Sequence, residues 1–112
     1  YQAAQSMFDK IIDATEDEQL KSDAGYYYAN CAVRLNQINA DSLIEEFVET
    51  YPTSTKKNTA YIDVADYYFD NGKYAYSRKW YEKVDEGSVS RTERDKFSFN
   101  YGYSLGYGLL WL

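Results

Sequence analysis

Residues that match in size and character recur along this chain at one uneven step. Ala4, Ala40 and Ser77 are separated by 36 and then 37 positions. Phe8, Ile44 and Tyr81 keep the same steps, as do Ile11, Phe47 and Val84, and Ala29, Ala65 and Gly102 make a fourth column at 36 and 37. Four columns agreeing on one spacing are hard to obtain by chance. A period in this range marks an array of helical repeats, in which each unit exposes an apolar face that only its neighbour can cover.

The unit itself is most legible from Asn58 to Asp85. Tyr61, Val64, Ala65 and Tyr68 follow helical spacing and define one buried stripe. Asp70-Asn71-Gly72-Lys73 breaks the pattern, with Gly72 free to adopt a left-handed conformation. A second helix follows, its stripe formed by Tyr74, Ser77, Tyr81 and Val84. Small residues at Ala65, Ser77 and Gly102 fall where paired helices must approach closely. The stretch predicts an αα-hairpin.

The alternation of small and large residues, the turn Asn71-Gly72-Lys73-Tyr74 and the ending Trp80-Tyr81-Glu82-Lys83-Val84 resemble the tetratricopeptide repeat (TPR) family. The Tyr51-Pro52-Thr53-Ser54 step between units and the slightly longer repeat look like the variants found in bacterial cell-envelope proteins. The resemblance implies an all-α chain of antiparallel helix pairs stacked as a right-handed superhelix. Its parts would be the second helix of a truncated repeat at 1–15, full repeats at 21–51 and 58–85, and the first helix of a further, incomplete repeat at 92–112. On this reading the chain starts mid-repeat, as a piece of a longer array, and the cell envelope or periplasm is favoured over the cytoplasm.

Within these parts, Glu16–Gln19 reads as an acidic loop, and Ser22 or Asp23 as the N-cap of a helix from about Lys21 to Asn36. Its stripe is Gly25, Tyr28, Ala29 and Ala32. The turn at 36–39 lacks a Gly, which predicts a tightened bend. The partner helix buries Ala40, Ile44 and Phe47, and the single Pro, Pro52, stops it. In the last helix, capped by Ser90 or Thr92, the stripe continues as Ser98, Tyr101, Gly102 and Leu105. The final Gly106–Leu112 (GYGLLWL) departs from the family pattern. It reads either as a segment docked on the last helix, or a truncation scar, or as an apolar end that pairs two chains, giving a homo-oligomer through exposed array ends.

Composition narrows the function. With 12 Lys and Arg against 18 Asp and Glu, the net charge of −6 argues against nucleic-acid binding. No apolar run approaches the ~20 residues of a membrane span, and no charged-then-apolar leader is present. A single Cys, Cys31, rules out an intramolecular disulfide; it reads as a small buried hydrophobe rather than a reactive thiol. The chain has no His, hence neither the commonest general base nor the commonest transition-metal ligand. Gly102, Gly106 and Gly108 lie in a helical pattern with no strand before them, so they do not form a phosphate loop. No nucleophile stands beside a base. The chain is expected to be non-catalytic and to need no cofactor.

Two features could bind something. Asp63, Asp66 and Asp70 fall on one helix face and could hold a hard cation or pair with a partner's Lys or Arg, although such charge runs are most often solvated surface. The aromatic load is the stronger signal: 14 Tyr, 5 Phe and 2 Trp. Most serve the core columns. The resemblance implies a concave groove lined by first helices, at Tyr26, Asn30, Val33 and Arg34, then Ile62, Asp66, Phe69 and Asp70, then Phe99 and Tyr103. Aromatic anchors with a few polar groups suit a protein or peptide segment, although the same rings could equally pack against neighbouring repeats. The expected function is a protein-interaction scaffold. The competing reading is a carbohydrate-binding module of an outer-membrane glycan-capture system, which requires Tyr26, Trp80 and Tyr103 to expose roughly coplanar ring faces.

Overall fold

A computed structural model describes residues 1–110 and the side chains of residues 1–106. The expectation for GYGLLWL therefore falls almost wholly outside the described side chains. The described residues are helical, with no strand among them. They divide into two compact units, Tyr1–Ala60 and Tyr61–Leu112.

Unit 1 contains α1 (Gln2–Ala14), α2 (Glu18–Arg34) and α3 (Ala40–Thr50). Helix α1 packs on α2, and α2 on α3. Ala29, Ala32, Ala40, Ile44 and Phe47 are buried as the spacing predicts, the alanines allowing the helix axes to approach. Phe8 stacks on Tyr27 with ring centroids 5.2 Å apart. At the edge, the side chains of Gln5 and Gln37 exchange amide hydrogen bonds of 3.0 and 2.9 Å. Helix α2 begins a turn earlier than Ser22 or Asp23 would place it. The Asp17 carboxylate accepts from the backbone N–H groups of Gln19 and Leu20, at 3.0 and 3.2 Å. Asp17 is therefore the N-cap, and Glu18 in the first turn complements the helix dipole. Ser22 instead lies buried in the helix, its hydroxyl donating to Ser54 Oγ at 3.3 Å.

Unit 2 is formed by α4 (Lys57–Asp70, whose first residues precede the unit boundary), α5 (Tyr74–Tyr81), a 3₁₀ turn (Glu86–Ser88) and α6 (Arg91–Leu110). Ring contacts pair Tyr61 with Trp80, Tyr68 with Tyr76, and Phe69 with Tyr74. Positions rise along α4 as they fall along α5, the mark of an antiparallel hairpin. Ala65, Ser77 and Tyr81 are fully buried where the two stripes meet.

Both hairpin turns close in the same way. After α4, Gly72 has φ 73°, with Gly72 N–H bonded to Phe69 O and Lys73 N–H to Tyr68 O. After α2, Asn36 has φ 55°, with Asn36 N–H bonded to Val33 O and Gln37 N–H to Ala32 O. This is the Schellman arrangement in each case. The bend at 36–39 is not tightened. Asn36 takes the left-handed conformation that its short polar side chain tolerates.

Helix α6 departs from its expected register. Its buried positions are Phe97, Asn100 and Ser104. Ser98 and Gly102 face solvent, and a Cβ placed on Gly102 would meet nothing within 4 Å. The buried set repeats Tyr61, Val64 and Tyr68 at a constant step of 36 rather than 37. The connection explains the slip. Helix α5 ends at Tyr81, and the Asp85 carboxylate then accepts from Gly87 N–H and Ser88 Oγ, at 3.2 and 2.8 Å. Val89 is buried beyond that turn. Ser98 and Gly102 are small, and small size alone does not place a residue at a helix contact.

Candidate functional site

The polar interior of unit 2 is built from three helices. Asp66 on α4 accepts a hydrogen bond from the Tyr81 hydroxyl on α5. Asn100 Nδ2 on α6 donates to Tyr81 Oη at 3.1 Å and, at a long 3.4 Å, to Asp66 Oδ1. Lys96 Nζ lies 3.4 Å from Asp66 Oδ2 and keeps its head in solvent. Burial, together with the hydrogen bond to Asp66, pushes the Tyr81 hydroxyl far above the ordinary tyrosine range. Tyr81 thus stays a proton donor, and Asp66 an acceptor. Beside them Ser77 and Ser104, both buried, share a 3.2 Å hydrogen bond. This network holds three helices together and presents no unpaired nucleophile or base.

Asp66 therefore turns inward, away from any shared acidic face. Asp70 is exposed and Asp63 half-buried. Among the described residues no group of three or more His, Cys, Asp or Glu is placed to hold a metal ion.

The other groove positions separate into two sets. Tyr26, Val33 and Ile62 are buried. Tyr26 packs on Phe47, with Lys56 Nζ 5.7 Å from the ring centroid. Asn30 and Arg34 are half-buried. Phe69, Phe99 and Tyr103, in contrast, come together in unit 2. Tyr103 meets Phe69 edge-on, with centroids 5.5 Å apart and planes at 76°, and stacks on Phe99 at 6.2 Å and 27°. Tyr74 completes the group, 5.2 Å from Phe69 and 5.1 Å from Tyr103. Phe99 is 67% and Tyr103 47% exposed. Tyr74 lay in a core column of the sequence, and its half-buried ring closes the patch.

A second concavity, of about 350 Å³, lies within unit 1. Gly25 and Tyr28 of α2, Phe47 of α3 and Tyr51 line it, and Asp9 of α1 and Glu46 of α3 contribute carboxylates. Gly25, Tyr28, Ala29 and Phe47 were read from their spacing as core positions, and the sequence did not show that they meet Asp9 and Glu46 around an open cleft.

No protein-family model, curated protein or solved structure matches the chain.

Proposed function

We propose that this chain is a non-catalytic scaffold of TPR-like helical repeats that binds a protein or peptide segment. One observation carries the reading: four aromatic rings gathered on α4, α5 and α6, with Phe99 and Tyr103 largely open to solvent. Tightly clustered, rigid rings lose little side-chain entropy on binding, and such rings are the residues that anchor interfaces. The shared hairpin turn and the 36-residue step support the repeat assignment. On this reading the hairpins stack as a superhelix, and the aromatic face belongs to its recognition surface.

The glycan reading draws less support. Trp80 is fully buried and Tyr26 nearly so, leaving Tyr103 as the single exposed ring of the three it needs. The test is affinity capture with wild type and with a Phe99→Ala, Tyr103→Ala double variant of unchanged circular dichroism. Both positions are exposed, so the fold is expected to persist. Loss of a specific captured protein supports the aromatic face; an identical captured set refutes it.

A further inference from the structure

We propose that the cleft in unit 1 binds a guanidinium group, presented as an arginine side chain by a partner protein. Its volume of about 350 Å³ sits at the small end of ligand pockets, fitting one long side chain rather than a cofactor. The lining combines the two features that recognise a planar organic cation. Tyr28, Phe47 and Tyr51 supply aromatic surface, and Asp9 and Glu46 supply negative charge.

The charge there is uncompensated. No lining residue is basic. Neither Asp9 nor Glu46 makes a salt bridge or hydrogen bond among the described residues. Unit 1 as a whole is acidic, with ten of the 18 carboxylate residues and five of the 12 basic ones. Its field therefore draws a cation toward the cleft. A metal ion is a poor occupant, since no group of three metal-binding side chains is present among the described residues.

Gly25, in the cleft lining, is a substitutable position. Gly25 lies inside α2, where glycine is less favourable than alanine by roughly 0.5–1 kcal/mol. Close helix packing does not require it: a Cβ there would meet Tyr51 Cε2 at 3.5 Å and Phe47 Cδ1 at 3.6 Å, both ordinary contacts. The rings stand one methyl contact from that backbone, so the planar cation lies beside Gly25 and not between it and the rings. Alanine at this position is accommodated without disturbing the helices.

The probe is a short peptide with a single arginine and neutral flanks, compared with the same peptide carrying citrulline, which keeps the shape and loses the charge. Binding is followed on the full chain by amide chemical shifts at Gly25, Tyr28 and Phe47, up to about 5 mM peptide, the range expected of a single side chain. The arginine peptide is expected to shift these amides saturably, more weakly as salt rises, and the citrulline peptide not to. Glu46→Gln and Asp9→Asn, both at exposed positions, should each weaken binding several-fold. Equal shifts from both peptides, or none from either, overturn the proposal. The aromatic face lies in the other unit, so Phe99→Ala with Tyr103→Ala leaves this titration unchanged, and the two readings fail separately.

Discussion

The two hairpins share a turn and differ in what lies between their helices. In unit 1 the interior is apolar: Ala29, Ala32, Ala40, Ile44, and Phe47 against Tyr26. Its polar pairs, Gln5 with Gln37 and Ser22 with Ser54, sit at part-buried edges. In unit 2 hydrogen bonds run through the middle, linking Asp66, Tyr81 and Asn100, and Ser77 with Ser104. An apolar contact accepts small shifts of register with a graded loss. A hydrogen-bonded one does not, because each displaced partner leaves a buried polar group unsatisfied. Unit 1 is thus held by volume and unit 2 by alignment.

The largest expected effect tests the volume half of that contrast. Phe47→Ala removes a buried ring that touches Tyr26 and Tyr51, and should destabilise by about 3–5 kcal/mol in urea unfolding. A loss below ~1 kcal/mol would show that unit 1 does not depend on this contact.

Tyr81→Phe tests the other half. The ring stays, so no cavity forms, but Asp66 loses its main donor and Asn100 an acceptor. The expected loss is about 1–3 kcal/mol. Alkaline pH offers a sharper measurement. The folded hydroxyl titrates above its unfolded value, which lies near 10. The unfolded chain therefore releases this proton first. The stabilisation is complete below pH ~10 and is lost as pH rises beyond it. Wild type should consequently lose stability above pH ~10 more steeply than Tyr81→Phe does. Parallel profiles would remove Tyr81 from the account.

The smallest effect probes what the hairpins share. Gly72→Ala meets no neighbour within 4 Å, so its penalty is the left-handed backbone alone, about 1 kcal/mol. Asn36→Gly should change the melting temperature little, since asparagine already tolerates that conformation. A large loss from Asn36→Gly would mean that the two turns are not equivalent.

The helices were largely legible because helical periodicity is a local property. All six lie where the spacing puts them, within a few residues, and small Ala65 and Ser77 are both fully buried. The register of α6 was not legible. Ser98, Gly102 and Leu105 fit a helical stripe as well as Phe97, Asn100 and Ser104 do, and only the capped turn at Asp85 chooses between them. Asp66 shows why the site was harder to read than the fold. On its own helix it belongs to a row of surface carboxylates. Its inward role comes from Tyr81 and Asn100, 15 and 34 positions further on. Phe69, Phe99 and Tyr103 were named together by the helical phase that the repeat resemblance implies, and the same rule named Tyr26, which is buried. Tyr74 was not named, because it fits a column.

The buried positions of Cys31 and Trp80 have a practical consequence. The chain's only thiol lies in unit 1, 5% exposed, with burial raising its pKa and so suppressing the reactive thiolate. Trp80, in unit 2, is fully enclosed, with Lys79 and Lys83 over its ring and no hydrogen-bond partner for its indole N–H among the described residues. Each unit thus carries its own built-in optical or chemical clock. The rate at which a thiol reagent modifies Cys31 times the opening of unit 1. The red shift of Trp80 emission, read in a background of Trp111→Phe, times the wetting of unit 2. Whether the halves of the chain come apart together or in sequence can be followed without attaching a label to either.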